Sequence, residues 1–336
     1  MLKKIFQEIR QLYDWRLVYL LFALVAGVYT FFLNPSILES YRQEWLSDYY
    51  EFSRTLYQPQ QTYFAESILL PWVALLLGAS KHWLFYKIFG SFLNLLLLPV
   101  IAYAVIRYFN DAAKSWCFII IFLFTFRYIW QTFYLGFPDP VTIMLLAAVA
   151  LQRQPLPLFF LVLLAALSHF SMTLVGLSAF AMLLITAPGY TKQYKVTLLK
   201  YVGVALILGK ILLTAWFYRF SYIPYSRLNW AIDHGLASFI SRYQADVWGF
   251  WLTPGVNFLY VFGFSLGLSI VYRKVLFALM MCLTLALSYL ALFFTIDGLR
   301  VFAVVIVAPY VFIVRTVIEQ TFQRFKQSGV TPSTPS

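Results

Sequence analysis

Apolar runs of roughly twenty residues recur along this chain from Arg16 onward, and no other feature narrows the choice of fold as sharply. A bilayer core of about 30 Å is crossed by a helix of about 20 residues rising about 1.5 Å each. Inside lipid the backbone polar groups must pair within their own segment, which favours helices. With 62% hydrophobic residues and only 11% charged ones, the chain has too little charge to cover a soluble surface of its length. The sequence therefore predicts an all-α fold, a polytopic transmembrane helical bundle. Spans are expected at 17–33, 86–106, 115–130, 138–152, 155–169, 171–187, 197–218, 253–272, 275–295 and 300–316, about ten crossings. The pair meeting at Ser168-His169 reads as a tight hairpin with His169 at its tip.

Charge placement sets the expected orientation. Lys3, Lys4, Arg10 and Arg16 precede the first span, which puts the N-terminus in the cytoplasm. Leu17 to Leu33 carries no small-residue cleavage site, so a retained anchor is expected. Asn34-Pro35 ends that helix, since a residue before proline is pushed out of the helical region. Residues 68–79 are apolar but short, and read as an interfacial piece rather than a span. On that reading the cytoplasmic face carries 15 Lys and Arg against 4 Asp and Glu, and the outer face nine of each. The expectation is one transmembrane domain, 1–318, in a plasma or inner membrane with both termini cytoplasmic. It has a first outer loop at 34–83, a second at 219–252 and a polar tail at 319–336.

The net charge of +12 has a simple source in basic loops beside a membrane. No basic run is interleaved with a nucleic-acid reading element, so membrane lipids are expected partners and nucleic acid is not. The 24 Tyr and 10 Trp suit the headgroup level, where an apolar ring and a polar tip are both satisfied. A Walker loop, H-E-x-x-H, G-x-S-x-G and C-x-x-C are all missing from these residues, which removes a self-contained ATP-driven pump.

The candidate chemistry lies toward the outer face. Asp48, in WLSDYYEFSRTLYQ, is a carboxylate among aromatics just past the anchor, suited to deprotonating a hydroxyl, or else an ordinary solvated aspartate. Glu51, three residues on, would share a helical face with it, and such a pair could hold a divalent cation such as Mg or Mn. Glu66 is a further acidic candidate. Asp139, in GFPDP, could orient an acceptor or a metal, or simply cap a helix start. His169 and Lys210 are ionisable groups within expected spans, where a cavity or a partner is the rule. Lys210 could reach a lipid phosphate or snorkel to the headgroups. Asp297 and Arg300, in TIDGLR, stand at the entrance of the last span. Arg300 could grip a phosphate through two parallel hydrogen bonds or pair locally with Asp297.

The order of these pieces resembles the amino-terminal half of the GT-C superfamily, polytopic membrane glycosyltransferases that use polyprenyl-phosphate-linked sugars. An anchor helix is followed by D-Y-Y-x-F-x-R-x-L, then P-W-V-A-L-L-L-G, then KIFGSFLNLLLLPVIAYAVIRYF and a basic turn. The likeness continues through YLGFPDPVTIMLLAAVALQRQ and PLPLFFLVLLAALSHFSMTLVGL. Ser53 stands where relatives often carry alanine, and His169 where many carry lysine. The resemblance implies amphipathic or juxtamembrane helices in the first outer loop and Asp48 as the catalytic carboxylate. It also implies a lipid-linked sugar donor, and a glycan, lipid or protein acceptor in the cell envelope. Arg300, Lys210 and His169 are then the expected donor-phosphate ligands, and a single displacement would invert the sugar. A lipid-linked polysaccharide polymerase and a transporter or flippase are the alternatives. The second of these predicts two matching broken-helix halves, which the sequence does not display.

Overall fold

The computed structural model describes residues 14–33, 47–56, 66–130, 137–219, 235–294 and 298–328. Among them every regular element is helical. In chain order these are α1 (Trp15–Phe32), α2 (Ser47–Thr55), α3 (Leu69–Leu76), α4 (Trp83–Phe109), α5 (Ala112–Trp130), α6 (Asp139–Leu151) and α7 (Pro155–Ser168). They continue as α8 (Phe170–Thr186), α9 (Lys192–Arg219), α10 (Leu236–Ala245), α11 (Val247–Trp251), α12 (Val256–Val271), α13 (Val275–Leu290) and α14 (Gly298–Gln327). The helices α1, α4, α9 and α14 are long and apolar enough to cross a bilayer, and six shorter apolar helices pack among them. The chain is a helical membrane protein.

The centre of the bundle is its last helix. From Val301 to Val314 every residue of α14 is buried, with α5, α6, α8, α12 and α13 packed around it. The sequence reason is plain: VFAVVIVAPYVFIV offers no polar face, and a helix apolar all round belongs inside. Close approach needs small residues. A Cβ added at Gly176 of α8 would lie 2.8 Å from the Val305 carbonyl oxygen, so only glycine lets these two backbones meet. The helix also runs through Gln327, so it takes in the first part of the segment at 319–336.

Two ends can be told apart by their contacts. At one, Arg16 donates to Asn110 (2.7 Å). Near it Arg153 pairs with Glu319 (2.9 Å), and the Tyr272 and Thr321 hydroxyls meet at 3.2 Å. Asn110 closes α4 in the left-handed region, φ 47°, a conformation asparagine tolerates. At the other end, α2 and α3 fold over the starts of α4 and α6, the junction of α7 with α8, and the end of α9. With eight residues α3 is about 12 Å long, too short to span. The second long connection carries α10 and α11, which expose Leu236, Ile240 and Trp248, a surface suited to the headgroup level.

Candidate functional site

The end covered by α2 and α3 gathers most of the charged candidates. Pro138 and Pro140 flank Asp139 in the first turn of α6, where proline's fixed φ suits a helix start. Asp139 is only 3% exposed. Its Oδ2 accepts from Arg300 Nη1 at 2.9 Å, and the two side chains are 4% and 11% exposed. The guanidinium carbon of Arg300 lies 5.0 Å from the centre of the Phe137 ring. Phe137 in turn meets Tyr49 of α2 edge to face, with centroids 5.0 Å apart. Next along α2, Tyr50 packs edge-on against Trp83 and tilts against Tyr86 of α4. A continuous chain of contacts thus joins α14, α6, α2 and α4.

His169 lies beside this pair. It interrupts the helix between α7 and α8 with φ −161° and ψ 89°, and it is 3% exposed. Its amide donates to the Ala165 carbonyl, its own carbonyl accepts from the Thr173 amide, and the Thr173 hydroxyl donates to Ala165 at 2.9 Å. The break is therefore satisfied locally, as buried backbone must be. The adjacent Ser168 hydroxyl sits 2.8 Å from that of Thr142 and donates to the Pro138 carbonyl at 3.4 Å. Those two contacts lock the break against the turn that carries Asp139.

Two more candidates border the break. Ser171 donates to Glu66 Oε2 at 3.0 Å, which ties the run leading into α3 to the first turn of α8. Lys210 is exposed on α9, and its Nζ lies 5.1 Å from the Phe170 ring centre. Its ammonium therefore stands next to the His169 junction.

The first-loop carboxylates are placed differently. Asp48 is in the first turn of α2, immediately before the buried Tyr49; its side chain lies outside the described residues, as does all of Asp297. Arg300 pairs across the bundle with Asp139, not only with what its own turn offers. Glu51 accepts from Arg54 at 3.2 Å on the exposed side of α2, while Tyr49, Phe52 and Ser53 face inward. Among the described residues no three His, Cys, Asp or Glu side chains come together to hold a metal. Glu51 engages Arg54, Glu66 engages Ser171 and Asp139 engages Arg300.

Sequence reasoning missed the neutral partners of the site: Tyr49, Phe137, Thr142, Ser168 and Ser171. One signal was available. Thr142 lies three residues after Asp139 and Ser168 precedes His169, so each hydroxyl borders an ionisable residue in an otherwise apolar run. No family model, curated protein or solved structure matches this chain.

Proposed function

We propose that this protein is a GT-C-type membrane glycosyltransferase, with its active centre where α2 and α3 cover the Asp139–Arg300 pair. In this reading the chain crosses a plasma or inner membrane about ten times with both termini cytoplasmic, and the site lies at the outer face. The observation that carries the proposal is the packing of the first long connection onto the charged end of the bundle, through Tyr49 on Phe137. Asp48 precedes Tyr49 on α2, and Tyr49 meets the aromatic ring on which Arg300 rests.

The chemistry then divides among these residues. The donor is a sugar linked through its anomeric oxygen to a polyprenyl phosphate. An acceptor hydroxyl, on a glycan, lipid or protein, attacks the anomeric carbon while Asp48 takes its proton. The carbon–oxygen bond to the phosphate breaks, the polyprenyl phosphate leaves with the bonding electrons, and the anomeric configuration inverts. Lys210, at the lipid-exposed side of the His169 junction, and Arg300 supply positive charge for the departing phosphate. His169 and Asp139 hold the geometry of that corner.

The test uses the full-length chain in detergent, supplied with a polyprenyl-phosphate hexose labelled in the sugar and with envelope glycan as acceptor. Release of free polyprenyl phosphate by the wild type and its loss in Asp48→Asn support the reading. Wild-type turnover in Asp48→Asn removes that residue from the mechanism, and no release by any variant rejects a transferase.

A further inference from the structure

The end of the bundle remote from the Asp139–Arg300 pair holds a second feature, one the transferase reading does not use. A cavity of about 420 Å³ lies between α4, α6 and α7, with Val100, Tyr103, Arg107, Tyr108, Gln152 and Arg153 in its wall. That volume falls within the range of about 300–1,000 Å³ typical of ligand pockets. A neighbouring hollow of about 470 Å³ shares Tyr103 and Arg107 and adds Arg16 and Asn110. Arg107 therefore stands between two open spaces, on a helix with few other charges.

Local charge is not balanced. No acidic side chain among the described residues forms an ion pair with Arg107 or with Arg315. Arg315 is 2% exposed, and its Nε and Nη1 make no hydrogen bond. It rests instead on the rings of Phe312 and Tyr108, at 4.3 and 4.6 Å. The Arg153 guanidinium lies 4.3 Å from the centre of that same Tyr108 ring. Among the described residues Glu319 is the carboxylate of this cluster, accepting from Arg153 at 2.9 Å and from the Tyr108 hydroxyl at 3.1 Å. Among the described residues the guanidiniums of Arg107, Arg153 and Arg315 outnumber this carboxylate, which leaves a positive field in a partly dehydrated place, where it acts strongly on an anion.

The shape of the cavity selects the kind of anion. Its wall runs from Arg107 seven residues down α4 to Val100, about 10 Å along the helix. Val100 and Tyr103 are 36% and 57% exposed on the flank of a membrane-spanning helix, so the cavity opens sideways along the apolar surface. A small free anion would use only the arginine end. An amphiphile with a phosphate head and acyl chains would use the whole wall.

The geometry points to a binding site for an anionic glycerophospholipid, its phosphate held by Arg107 and Arg153 and its chains lying along Val100 and Tyr103. Arg315 and Tyr108 are positioning residues that fix Arg153 and strengthen the field. Basic pockets between transmembrane helices are a recurrent solution for such headgroups.

Native mass spectrometry of the full-length protein tests this, with phosphatidylglycerol titrated against phosphatidylcholine and glycerol 1-phosphate as a soluble phosphate. The expected result is one tightly held phosphatidylglycerol. Binding should weaken about fivefold in Arg107→Gln, more in Arg107→Gln with Arg153→Gln, and recover in Arg107→Lys. Lys326→Gln, an exposed cation at the same end, should leave it unchanged. Equal binding by wild type and Arg107→Gln overturns the site, as does an equal loss in Lys326→Gln, which would mean attraction to the whole basic face. Glycerol 1-phosphate competing as well as the lipid would overturn the lipid assignment. Among the described residues Arg107 forms no ion pair, so reduced binding in Arg107→Gln does not follow from losing one.

Discussion

Arg300 Nη1 and Asp139 Oδ2 lie 2.9 Å apart although 161 residues separate them, and both side chains are almost wholly buried. The pair fixes the start of α14, the central helix, against the start of α6. Removing one partner of such a buried pair costs about 3–5 kcal/mol, whereas removing both together costs much less. Arg300→Met and Asp139→Asn should therefore each lower the thermal unfolding midpoint in detergent by more than the double variant does. A double-mutant cycle reads the coupling directly; additive losses would mean that the two charges do not meet.

The contact of α8 with α14 makes a second stability prediction. Gly176→Ala drives a methyl group to 2.8 Å from the Val305 carbonyl oxygen, which is backbone and cannot turn aside. Forcing extra volume into a packed interior costs about 1–3 kcal/mol. Gly203→Ala is the control, since nothing lies within 4 Å of the added carbon and alanine is the better helix former. Unfolding by denaturant should show a clear loss for the first and none for the second.

How far the sequence reveals this molecule depends on the range of the interaction concerned. The helices follow from local hydropathy: each expected apolar run coincides with an observed helix, four of them long and apolar enough to cross a bilayer, and α14 runs on to Gln327. The brevity of α3 was also legible, because the apolar run at 68–79 is itself short. Pairing was not. Asp139 and Arg300 were each conspicuous as charges at helix starts, yet each had a local explanation, a cap for one and Asp297 for the other. Only the packing of α14 at the centre brings them together, and nothing in the apolar VFAVVIVAPYVFIV run says which helices will surround it. Glu51 is also placed by packing. Spacing puts it on a face with Asp48, but the buried side of α2 is set by Tyr49, Phe52 and Ser53, and Glu51 turns outward to Arg54.

The exposed pair of Glu51 with Arg54 gives a functional prediction. If Asp48 takes the acceptor proton, Asp48→Asn should lower kcat by about 10²–10⁴-fold, the usual share of a general base. Glu51→Gln loses only a solvent-exposed pair with Arg54, worth at most about 1 kcal/mol. Its turnover should stay within about threefold of wild type, since an exposed pair holds nothing in the site. Equal losses in the two variants would instead favour a shared role for both carboxylates, as in cation binding.

Lys210 offers the sharpest separation of binding from chemistry. It is exposed on α9 beside Phe170, so its replacement breaks no buried contact and the fold should persist. A cation that holds the donor phosphate equally before and during transfer affects KM alone, whereas one that strengthens as the phosphate departs lowers kcat as well. Charge builds on the phosphate only when the anomeric bond breaks, so Lys210→Gln should reduce kcat by about tenfold with a smaller rise in donor KM. Lys210→Arg should retain most activity, because it keeps the charge at nearly the same reach. Steady-state kinetics with varied donor distinguishes the cases, and unchanged constants in Lys210→Gln would return that lysine to the role of a headgroup anchor.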